Sequence, residues 1–293
     1  MRVYSKTDGR HGRFNYFTTD HYVGRSLAVY GEWSEAEVSL FRQIVRFGDT
    51  VIEAGANIGS HTIFLSQAVG LNGKLIAFEP ARLTHQVLCA NLVANECLNV
   101  TALQCAVGRS DGVVQFPYYD PRQQHNFGAA GLRDCTAERL STTGATEAVN
   151  MRSIDSLGLD QLSFIKVDVE GYELELLEGA RETLGRLSPV VYLEIDLGND
   201  RPAGNRDELV EFVESFGYEA YYYFTPMFRA DNFRGIGTDI FNAASFDILC
   251  VSPTNARVQG LTRARVGDTA LKKTGNSVVY TALPWDGAQL TWI

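Results

Sequence analysis

Thr50-Val-Ile-Glu-Ala-Gly-Ala-Asn-Ile-Gly59 joins a short apolar run to a turn that carries two glycines. Apolar residues then recur at helical spacing from Ile58 as far as Val69, so the stretch predicts a strand, a glycine turn and a helix. Gly55 and Gly59 would let the backbone come close to a ligand, and the first amides of the helix would point towards that ligand. The stretch therefore predicts the first unit of an α/β fold, with a ligand at its turn.

The alternation of a short apolar run and a helical pattern continues as far as Val251. The predicted strands begin at Thr50, Lys74, Asn99, Phe164, Val190, Tyr218 and Phe246. Alternating units of this kind predict a doubly wound, Rossmann-like α/β sheet with helices on both faces. We expect residues 49–253 to form this domain, residues 1–48 to pack on its core, and residues 254–293 to be an extension of unknown role.

Residues 113–154 interrupt the alternation, directly after a run from Asn99 to Val107 that reads as one strand. The pattern there predicts two strands around a polar, glycine-rich loop. Loops of this length inside a compact domain are often lids or binding loops. We therefore expect an inserted hairpin whose loop closes over a bound molecule.

The composition limits the functions to consider. The chain has 293 residues, 26 Lys and Arg against 35 Asp and Glu, a formal net charge of −9 and 45% hydrophobic residues. This is a globular composition, and its negative balance disfavours a protein whose main task is to bind nucleic acid. No apolar run approaches the roughly 18 residues of a membrane span, and the N-terminus lacks the apolar region of a secretory signal.

The cysteines are odd in number and have no paired spacing, which disfavours a secreted disulfide framework or a zinc site. They are Cys89, Cys97, Cys105, Cys135 and Cys250. We therefore expect a cytoplasmic protein.

Acidic residues end four of the apolar strands, although a parallel strand covered on both faces should be apolar throughout. They are Glu53, Glu79, Asp168 with Glu170, and Glu194 with Asp196. An unpaired buried carboxylate is costly, and a single one can be explained as a structural group. Four in corresponding positions indicate a ligand crevice beyond the carboxyl ends of the strands.

The glycine turn discriminates between classes of nucleotide ligand. A dinucleotide fingerprint requires G-x-G-x-x-G, and Asn57 stands where its second glycine belongs. Glu79 follows Glu53 by 26 positions and ends the second strand, which suits a carboxylate that binds two ribose hydroxyls. The turn therefore disfavours pyrophosphate, and Glu79 favours a ligand with a ribose.

Several motifs together resemble the FkbM-type branch of the class I S-adenosylmethionine (SAM)-dependent methyltransferases. They are Glu53-Ala-Gly-Ala-Asn-Ile-Gly-Ser-His-Thr62, Ala77-Phe-Glu-Pro80, Ala90-Asn-Leu92, Cys105-Ala-Val-Gly108 and, most specific, Ile165-Lys-Val-Asp-Val-Glu-Gly-Tyr-Glu173. The resemblance covers about Gly24 to Pro253, and Glu53 stands where the family typically has Asp. It implies a SAM-dependent O-methyltransferase that acts on a hydroxyl of a sugar, glycan or secondary metabolite.

The resemblance also implies which residues hold the cofactor SAM. They are Glu53, Gly55, Asn57, Gly59, Glu79, Ala106, Val107 and Asp111. Glu53 and Gly55 would face the amino-acid head, and Glu79 would hold the ribose. Ala106 and Val107 would line the adenine together with Asp111, although Asp-Gly is also a common turn dipeptide.

Methyl transfer to a hydroxyl needs a group that takes the hydroxyl proton. Lys166, Asp168 and Glu170 share one face if their strand stays extended, because side chains alternate with period two. We expect the Asp168/Glu170 pair to act as the base, with Lys166 keeping one carboxylate ionised; a structural ion pair is the alternative. His61 is the second candidate, because the positive end of a helix favours a neutral imidazole.

Other residues are expected to bind the acceptor. They are His125 and Asn126 in the long loop, Glu194, Tyr223 within an aromatic cluster, and Asn232. Flat aromatic faces suit a sugar or a lipid-like acceptor. The strand-end acids could ligate Mg²⁺ by type, but the sequence has no Asp-Asn pair or clear oxygen cage, so we expect no metal. The sequence leaves the oligomeric state open, including a homo-oligomer.

Three alternative functions are weaker. A nicotinamide-dependent oxidoreductase could share the fold, but Asn57 and the lack of a Tyr-x-x-x-Lys pair disfavour it. A non-catalytic module with the same fold would not need an acid at every strand end. A protein or nucleic-acid methyltransferase is the third alternative; the net charge and the absence of an Asn-Pro-Pro-Tyr-like segment disfavour amino-group methylation of bases.

Overall fold

A computed structural model of the protein describes residues 2–132, 145–195, 205–268 and 285–293. Its strands are β1 (Tyr4–Gly9), β2 (Gly12–Phe17), β3 (Thr50–Ala54), β4 (Lys74–Phe78), β5 (Val100–Leu103), β6 (Cys105–Val107), β7 (Gly112–Pro117), β8 (Thr146–Arg152), β9 (Phe164–Val167), β10 (Val190–Glu194), β11 (Glu219–Pro226), β12 (Ala244–Val251), β13 (Ala256–Gln259) and β14 (Gln289–Trp292). Its helices are α1 (Val23–Val29), α2 (Glu35–Ile44), α3 (Thr62–Val69), α4 (Arg82–Ala94), α5 (Glu173–Glu178), α6 (Arg181–Leu187) and α7 (Asn205–Glu214).

A seven-stranded sheet forms the centre of the molecule, in the order β11-β12-β10-β9-β3-β4-β5. The strands from β10 to β5 run parallel to one another. Strand β12 is antiparallel to both of its neighbours, β10 and β11. Strand order therefore reverses at β3, beside β9, and open α/β sheets bind ligands at such a reversal.

Helices cover both faces of this sheet because the strands alternate between two apolar cores. Ile52 and Ile165 pack with side chains from α5, α6 and α7. Val51 and Phe164 pack on the opposite face, with side chains from α2 and α3. The doubly wound α/β fold predicted from the sequence is thus confirmed.

The predicted boundaries are wrong at three places. The run from Asn99 to Val107 forms two strands, because β5 joins the central sheet whereas β6 pairs with β8 in a separate three-stranded sheet. Helix α3 begins at Thr62, four residues later than the periodicity indicates, since the turn after β3 occupies the positions before it. The helical pattern after β9 is divided into α5 and α6 at Gly179, whose Cα faces the Gly108 carbonyl so closely that a Cβ would lie 2.1 Å from its oxygen.

The two ends of the described chain pack on the domain in different ways. Strands β1 and β2 form a hairpin whose Phe14 and Phe17 share an apolar cluster with Leu88 of α4. Strands β13 and β14 form a two-stranded antiparallel sheet that contacts α2, and the Trp292 indole donates a hydrogen bond to the Gln43 carbonyl at 3.1 Å.

Parts of three predictions lie outside the described residues. They are the strand-end acid Asp196, residues 133–144 of the long loop, and residues 269–284 of the C-terminal extension. Within the described ranges, no helix combines the length and the hydropathy needed to cross a bilayer.

Candidate active site

A row of polar side chains crosses one face of the central sheet, near the carboxyl ends of its strands. Glu53 of β3 and Tyr192 of β10 are both in register with Lys166 of β9, which lies between them. Glu194 is in register with Asp247 of β12 on the same face. The row follows from strand alternation, because the intervening residues point into the opposite apolar core. A sheet that is otherwise apolar thus carries its ionisable groups at one end.

This row borders a cavity of about 300 Å³, at the lower end of the range for ligand pockets, which is about 300–1,000 Å³. Twelve of the residues nominated from the sequence line it: Glu53, Gly55, Asn57, His61, Glu79, Ala106, Val107, Asn126, Lys166, Asp168, Glu170 and Glu194. Six carboxylates and one lysine line the cavity among the residues that the structure describes. The site is therefore rich in negative charge.

Glu79 is held by the backbone on either side of it. Its Oε2 accepts from the Asn57 amide at 2.9 Å, and its Oε1 accepts from the Ala81 amide at 2.8 Å. Burial raises the pKa of the Glu79 carboxyl to about 7, although these two hydrogen bonds act in the opposite direction. Each oxygen keeps a lone pair for a further donor, so the carboxylate can bind two neighbouring hydroxyls.

Glu53 lies at the base of the cavity and is 1% exposed. Its Oε2 accepts a hydrogen bond from the Thr62 hydroxyl at 2.6 Å. Burial raises the pKa of Glu53 to about 7, while the Lys166 ammonium and the Thr62 hydroxyl lower it. A cationic ligand would bring this carboxyl back to its ionised form.

Lys166 is 2% exposed, and its Nζ donates to Asp168 Oδ2 at 3.0 Å. Burial alone would lower the pKa of the ammonium, but the carboxylates of Asp168, Glu53 and Glu37 together raise it above its ordinary value. The lysine is therefore charged and binds Asp168 directly. Removing Asp168 would leave the buried Lys166 ammonium without its direct partner, which is costly.

Asp168, Glu170 and Glu194 form a cluster in which one oxygen of each carboxylate lies within 4.8 Å of the others. Burial, followed by the charges of Glu170 and Asp168, raises the pKa of Glu194 well above its ordinary value. Carboxylate oxygens are ligands that hard divalent cations accept. The expectation of a metal-free site stays a prediction.

His61 lies at the cavity wall, 3% exposed, and its Nε2 has no hydrogen-bond partner. Helix α2 packs against it from two sides: Glu37 Oε2 lies 3.9 Å from Nε2, and the Phe41 ring meets the imidazole edge-on at 5.4 Å. Burial and the nearby Lys166 charge lower the pKa of His61 well below its ordinary value. The imidazole is thus neutral at physiological pH.

Sequence reasoning missed Glu37, which lines the cavity from α2. Its Oε1 accepts from the Ser34 hydroxyl at 2.6 Å. Burial raises the pKa of the Glu37 carboxyl, with Lys166 acting in the opposite direction. The available signal was the Ser34-x-x-Glu37 spacing of a capping box, which predicts a helix start rather than a site.

Sequence reasoning also missed several apolar and aromatic residues that line the cavity. Tyr22 and Trp33 contribute from the N-terminal segment, and Met227 and Ala243 contribute from the segments beside β11 and β12. The sequence places these pairs about 200 positions apart, so only the fold brings them together.

Two predicted cofactor residues do not line the cavity. Asp111 is exposed, and its carboxylate accepts from the Ser153 amide at 2.9 Å, which makes it a turn residue. Gly59 has a φ of +90°, and a Cβ there would lie 2.8 Å from Leu88 Cδ1, so it serves the packing of α4.

Gly55 lines the cavity, but its lack of a side chain has another cause than ligand approach. A Cβ at this residue would lie 1.8 Å from the Asp168 carbonyl oxygen, and its φ is +83°. The turn after β3 therefore passes directly against the end of β9, where only glycine fits.

Three predicted acceptor residues also lie outside the cavity lining. The Tyr223 hydroxyl is buried and donates to the Ala36 carbonyl at 2.8 Å. The Asn232 amide group donates to the Arg229 and Ile236 carbonyls and thereby shapes its own loop. His125 packs on the Tyr119 ring, with centroids 3.9 Å apart, beside the cavity-lining Asn126.

Comparison with known proteins gives a family match. The family model of the methyltransferase FkbM domain matches residues 53–220. Methyltransferase sdnD of Sordaria araneosa is 28% identical over 194 residues, which cover 58% of this chain and 73% of that protein. Methyltransferase 1 of Beauveria bassiana is 27% identical over 144 residues, which cover 44% of this chain and 57% of that protein. The crystal structure of a methyltransferase FkbM from Methylobacillus flagellatus aligns with a TM-score of 0.36 and 23% identity, over 52% of this chain and 34% of that chain.

Proposed function

Because the family model covers more than half of its length, the chain belongs to the FkbM methyltransferase family, and we propose that it transfers a methyl group from SAM to a hydroxyl. The acceptor is a sugar, a glycan or a secondary metabolite. The observation that carries this proposal is one cavity in which Glu79, suited to ribose hydroxyls, and the proton-accepting groups Asp168, Glu170 and His61 all take part.

The charge of the cavity supports SAM as the ligand. Burial raises the pKa values of both Glu53 and Glu79 to about 7, so the cavity on its own holds more carboxylates than it can keep ionised. SAM carries a sulfonium and an ammonium group, and two positive charges offset this excess. The residues that the structure provides therefore fit the cofactor.

The parts of SAM correspond to different walls of the cavity. Glu79 binds the two ribose hydroxyls, and Glu53 faces the amino-acid head beside the turn at Gly55. The apolar strand β6, with Ala106 and Val107, lines the adenine. When bound, SAM supplies a methyl group on a sulfonium that is an excellent leaving group.

The protein must then orient the acceptor hydroxyl and take its proton. A positioned base contributes about 10²–10⁴-fold to such a reaction. Asp168, Glu170 and His61 are the candidates that line the cavity. The apolar and aromatic side chains of Tyr22, Trp33 and Met227 provide the flat surface on which the acceptor lies.

A nicotinamide-dependent oxidoreductase is not supported, because the family match is to a methyltransferase domain. The acceptor is not expected to be a nucleic acid, in keeping with the net charge of −9. We place the reaction in the cytoplasm, in keeping with the four free cysteines in the described part of the chain.

The experiment that tests the proposal follows methyl-labelled SAM into a fractionated extract of the source cells. We expect the label in a glycan or small-molecule fraction with the wild type, and much less with Glu79→Gln. Glu182→Gln, an exposed change on α6, is the matched control. Label in protein or nucleic acid would overturn the acceptor class, and calorimetry showing affinity for NAD but none for SAM would overturn the whole proposal.

A further inference from the structure

His61 lines the cavity and carries an unsatisfied ring nitrogen. Its Nε2 is buried and makes no hydrogen bond, although buried polar atoms are nearly always paired. The ring itself is held in place, with Phe41 edge-on against it and the first turn of α3 beneath it. An unpaired nitrogen on a fixed ring at a cavity wall indicates a partner that arrives with the ligand.

The other nitrogen of His61 determines which proton the ring carries. Backbone groups of Trp33 and Ser34 hydrogen-bond the imidazole and raise its pKa, as carbonyl acceptors do. For Nε2 to accept a proton, the neutral ring must carry its hydrogen on Nδ1. The Nε2 lone pair is then vacant, because this nitrogen has no hydrogen-bond partner.

Three carboxylates of the site have protein hydrogen-bond or ion-pair partners, whereas His61 Nε2 has none. Asp168 is paired with Lys166, a buried lysine whose Nζ lies 3.0 Å from Asp168 Oδ2. Glu79 is held by two backbone amides, and Glu53 by the Thr62 hydroxyl. Among these groups, His61 Nε2 has a lone pair that no protein donor occupies.

Glu37 is suited to assist this nitrogen. Its Oε2 lies 3.9 Å from Nε2, whereas its Oε1 is fixed by the Ser34 hydroxyl. A carboxylate at this distance favours the protonated imidazole without blocking Nε2 in its neutral state. Glu37 lies on α2, before the stretch that matches the family model, so the family match assigns it no role.

We propose that His61 Nε2 accepts the proton of the acceptor hydroxyl and that Glu37 is the positioning residue that stabilises the resulting imidazolium. This inference rests on the proposed function and reverses the order of bases expected from the sequence. The proton leaves the hydroxyl as the oxygen acquires the methyl group, and it stays on Nε2 until the product departs. The imidazolium then releases it to solvent, so that no other reactant is needed.

The first part of the test does not require turnover. The ¹⁵N spectrum of histidine-labelled protein at neutral pH reports which ring nitrogen carries hydrogen, and His61→Gln identifies the His61 signals. We expect Nδ1–H and a bare Nε2, with the signals of His21, His85 and His125 as internal controls. A ring protonated at Nε2 would overturn the proposal, whether or not the protein proves to methylate a hydroxyl.

The second part uses the extract fraction that accepts label. His61→Gln should lower the rate at least about 100-fold, whereas Glu182→Gln, the exposed change on α6, should retain the wild-type rate. Glu37→Gln should lower the rate and move the acid limb of its pH profile to lower pH, while Glu37→Asp keeps the limb in place. The groups that set this limb with Glu37 are Lys166 on β9 and His11 beside β2.

A purely structural Glu37 would change the rate without moving the acid limb. That result, or an active His61→Gln enzyme beside an inactive Glu170→Gln enzyme, would overturn the proposal. If no fraction accepts label, the proposed function fails, while the ¹⁵N result still decides the state of His61.

Discussion

Glu79 is the residue on which cofactor binding should depend most directly. Glu79→Gln keeps the shape of the side chain but removes the charge that strengthens hydrogen bonds from two ribose hydroxyls. Hydrogen bonds to charged groups contribute roughly 1.5–3 kcal/mol each, so we expect the SAM dissociation constant to rise at least about tenfold. Calorimetry on the folded variant measures this, with Glu182→Gln as control, and unchanged affinity would mean that the ribose lies elsewhere.

Gly55 should not tolerate even the smallest side chain. Its positive φ and the Asp168 carbonyl, 1.8 Å from the position of a Cβ, oppose Gly55→Ala for two independent reasons. We expect a loss of several kcal/mol in the free energy of unfolding. Gly112→Ala is the matched control, because nothing lies within 4 Å of a Cβ there. Equal urea midpoints for the two variants would contradict the geometry.

For individual residues, the sequence predicts the acidic residues of the site but not the groups that contact the site's side chains. Glu53, Glu79 and Glu194 could be identified because a carboxylate at the end of an apolar strand is costly without a purpose. Tyr223 could not be excluded, since a tyrosine in an aromatic run looks the same whether its hydroxyl reaches a ligand or a backbone carbonyl. Glu37 could not be found, because its neighbour His61 comes from another element.

The long loop between β7 and β8 is the element that we expect to cover the acceptor. Its described part reaches the cavity through Asn126, Phe127 and Leu132, and Phe127 is stacked on Phe17 with centroids 4.5 Å apart. Gly131 lies so close to the end of β9 that a Cβ would be 2.5 Å from the Glu170 carbonyl oxygen. The loop is thus fitted against the acidic cluster.

Gly131→Ala should therefore displace the loop from that cluster. We expect transfer of label to fall at least about tenfold while SAM affinity stays close to that of the wild type, with Gly112→Ala again as control. Loss of SAM binding instead would show that the loop belongs to the cofactor's half of the cavity.

Strands and helices could be predicted where the hydrophobic pattern of the sequence agrees with the pairing of the strands. Strands β3, β4, β9 and β10 are mainly apolar, as parallel strands buried on both faces are, and their few ionisable residues include Glu53, Lys166 and Glu194. The division between β5 and β6 was not predictable, because it depends on β8, a strand about 40 residues later that draws β6 away from the central sheet. Similarly, the break at Gly179 depends on the remote carbonyl of Gly108.

For the whole molecule, burial of carboxyls makes stability depend on pH in a definite direction. The pKa of Glu53 is about 7 in the folded protein and 4.5 as its ordinary value, so the folded state binds more protons between these limits. The contribution of Glu53 is therefore complete below about pH 4.5 and is lost as the pH rises through 7. His61, whose pKa is lowered, acts in the opposite direction, so the effect of Glu53 must be isolated by a variant.

The variant Glu53→Gln isolates the effect of the Glu53 charge on stability, because glutamine can keep the hydrogen bond to Thr62 but carries no charge. We expect the free energy of unfolding of this variant, relative to the wild type, to increase from pH 5 to about pH 7 and then to level off. Urea denaturation measures the difference, and saturating SAM should reduce it at pH 8 by offsetting the ionised carboxyl. A difference that stays constant over this range would contradict the assignment.

Strand β14 and the residue before it pack against the C-terminal end of helix α2, which carries Glu37. Gln43 donates to the Ala288 carbonyl at 3.0 Å and accepts from the Leu290 amide at 3.1 Å, while the Arg46 guanidinium lies 4.3 Å from the centroid of the Trp292 ring. Both partners lie outside the residues that match the family model, one before and one after them. The segment with α2 and the segment with β14 therefore have to match each other in sequence. A chimera that takes only residues 1–48 or only residues 254–293 from a relative should have a lower free energy of unfolding than a chimera that takes both segments from that relative.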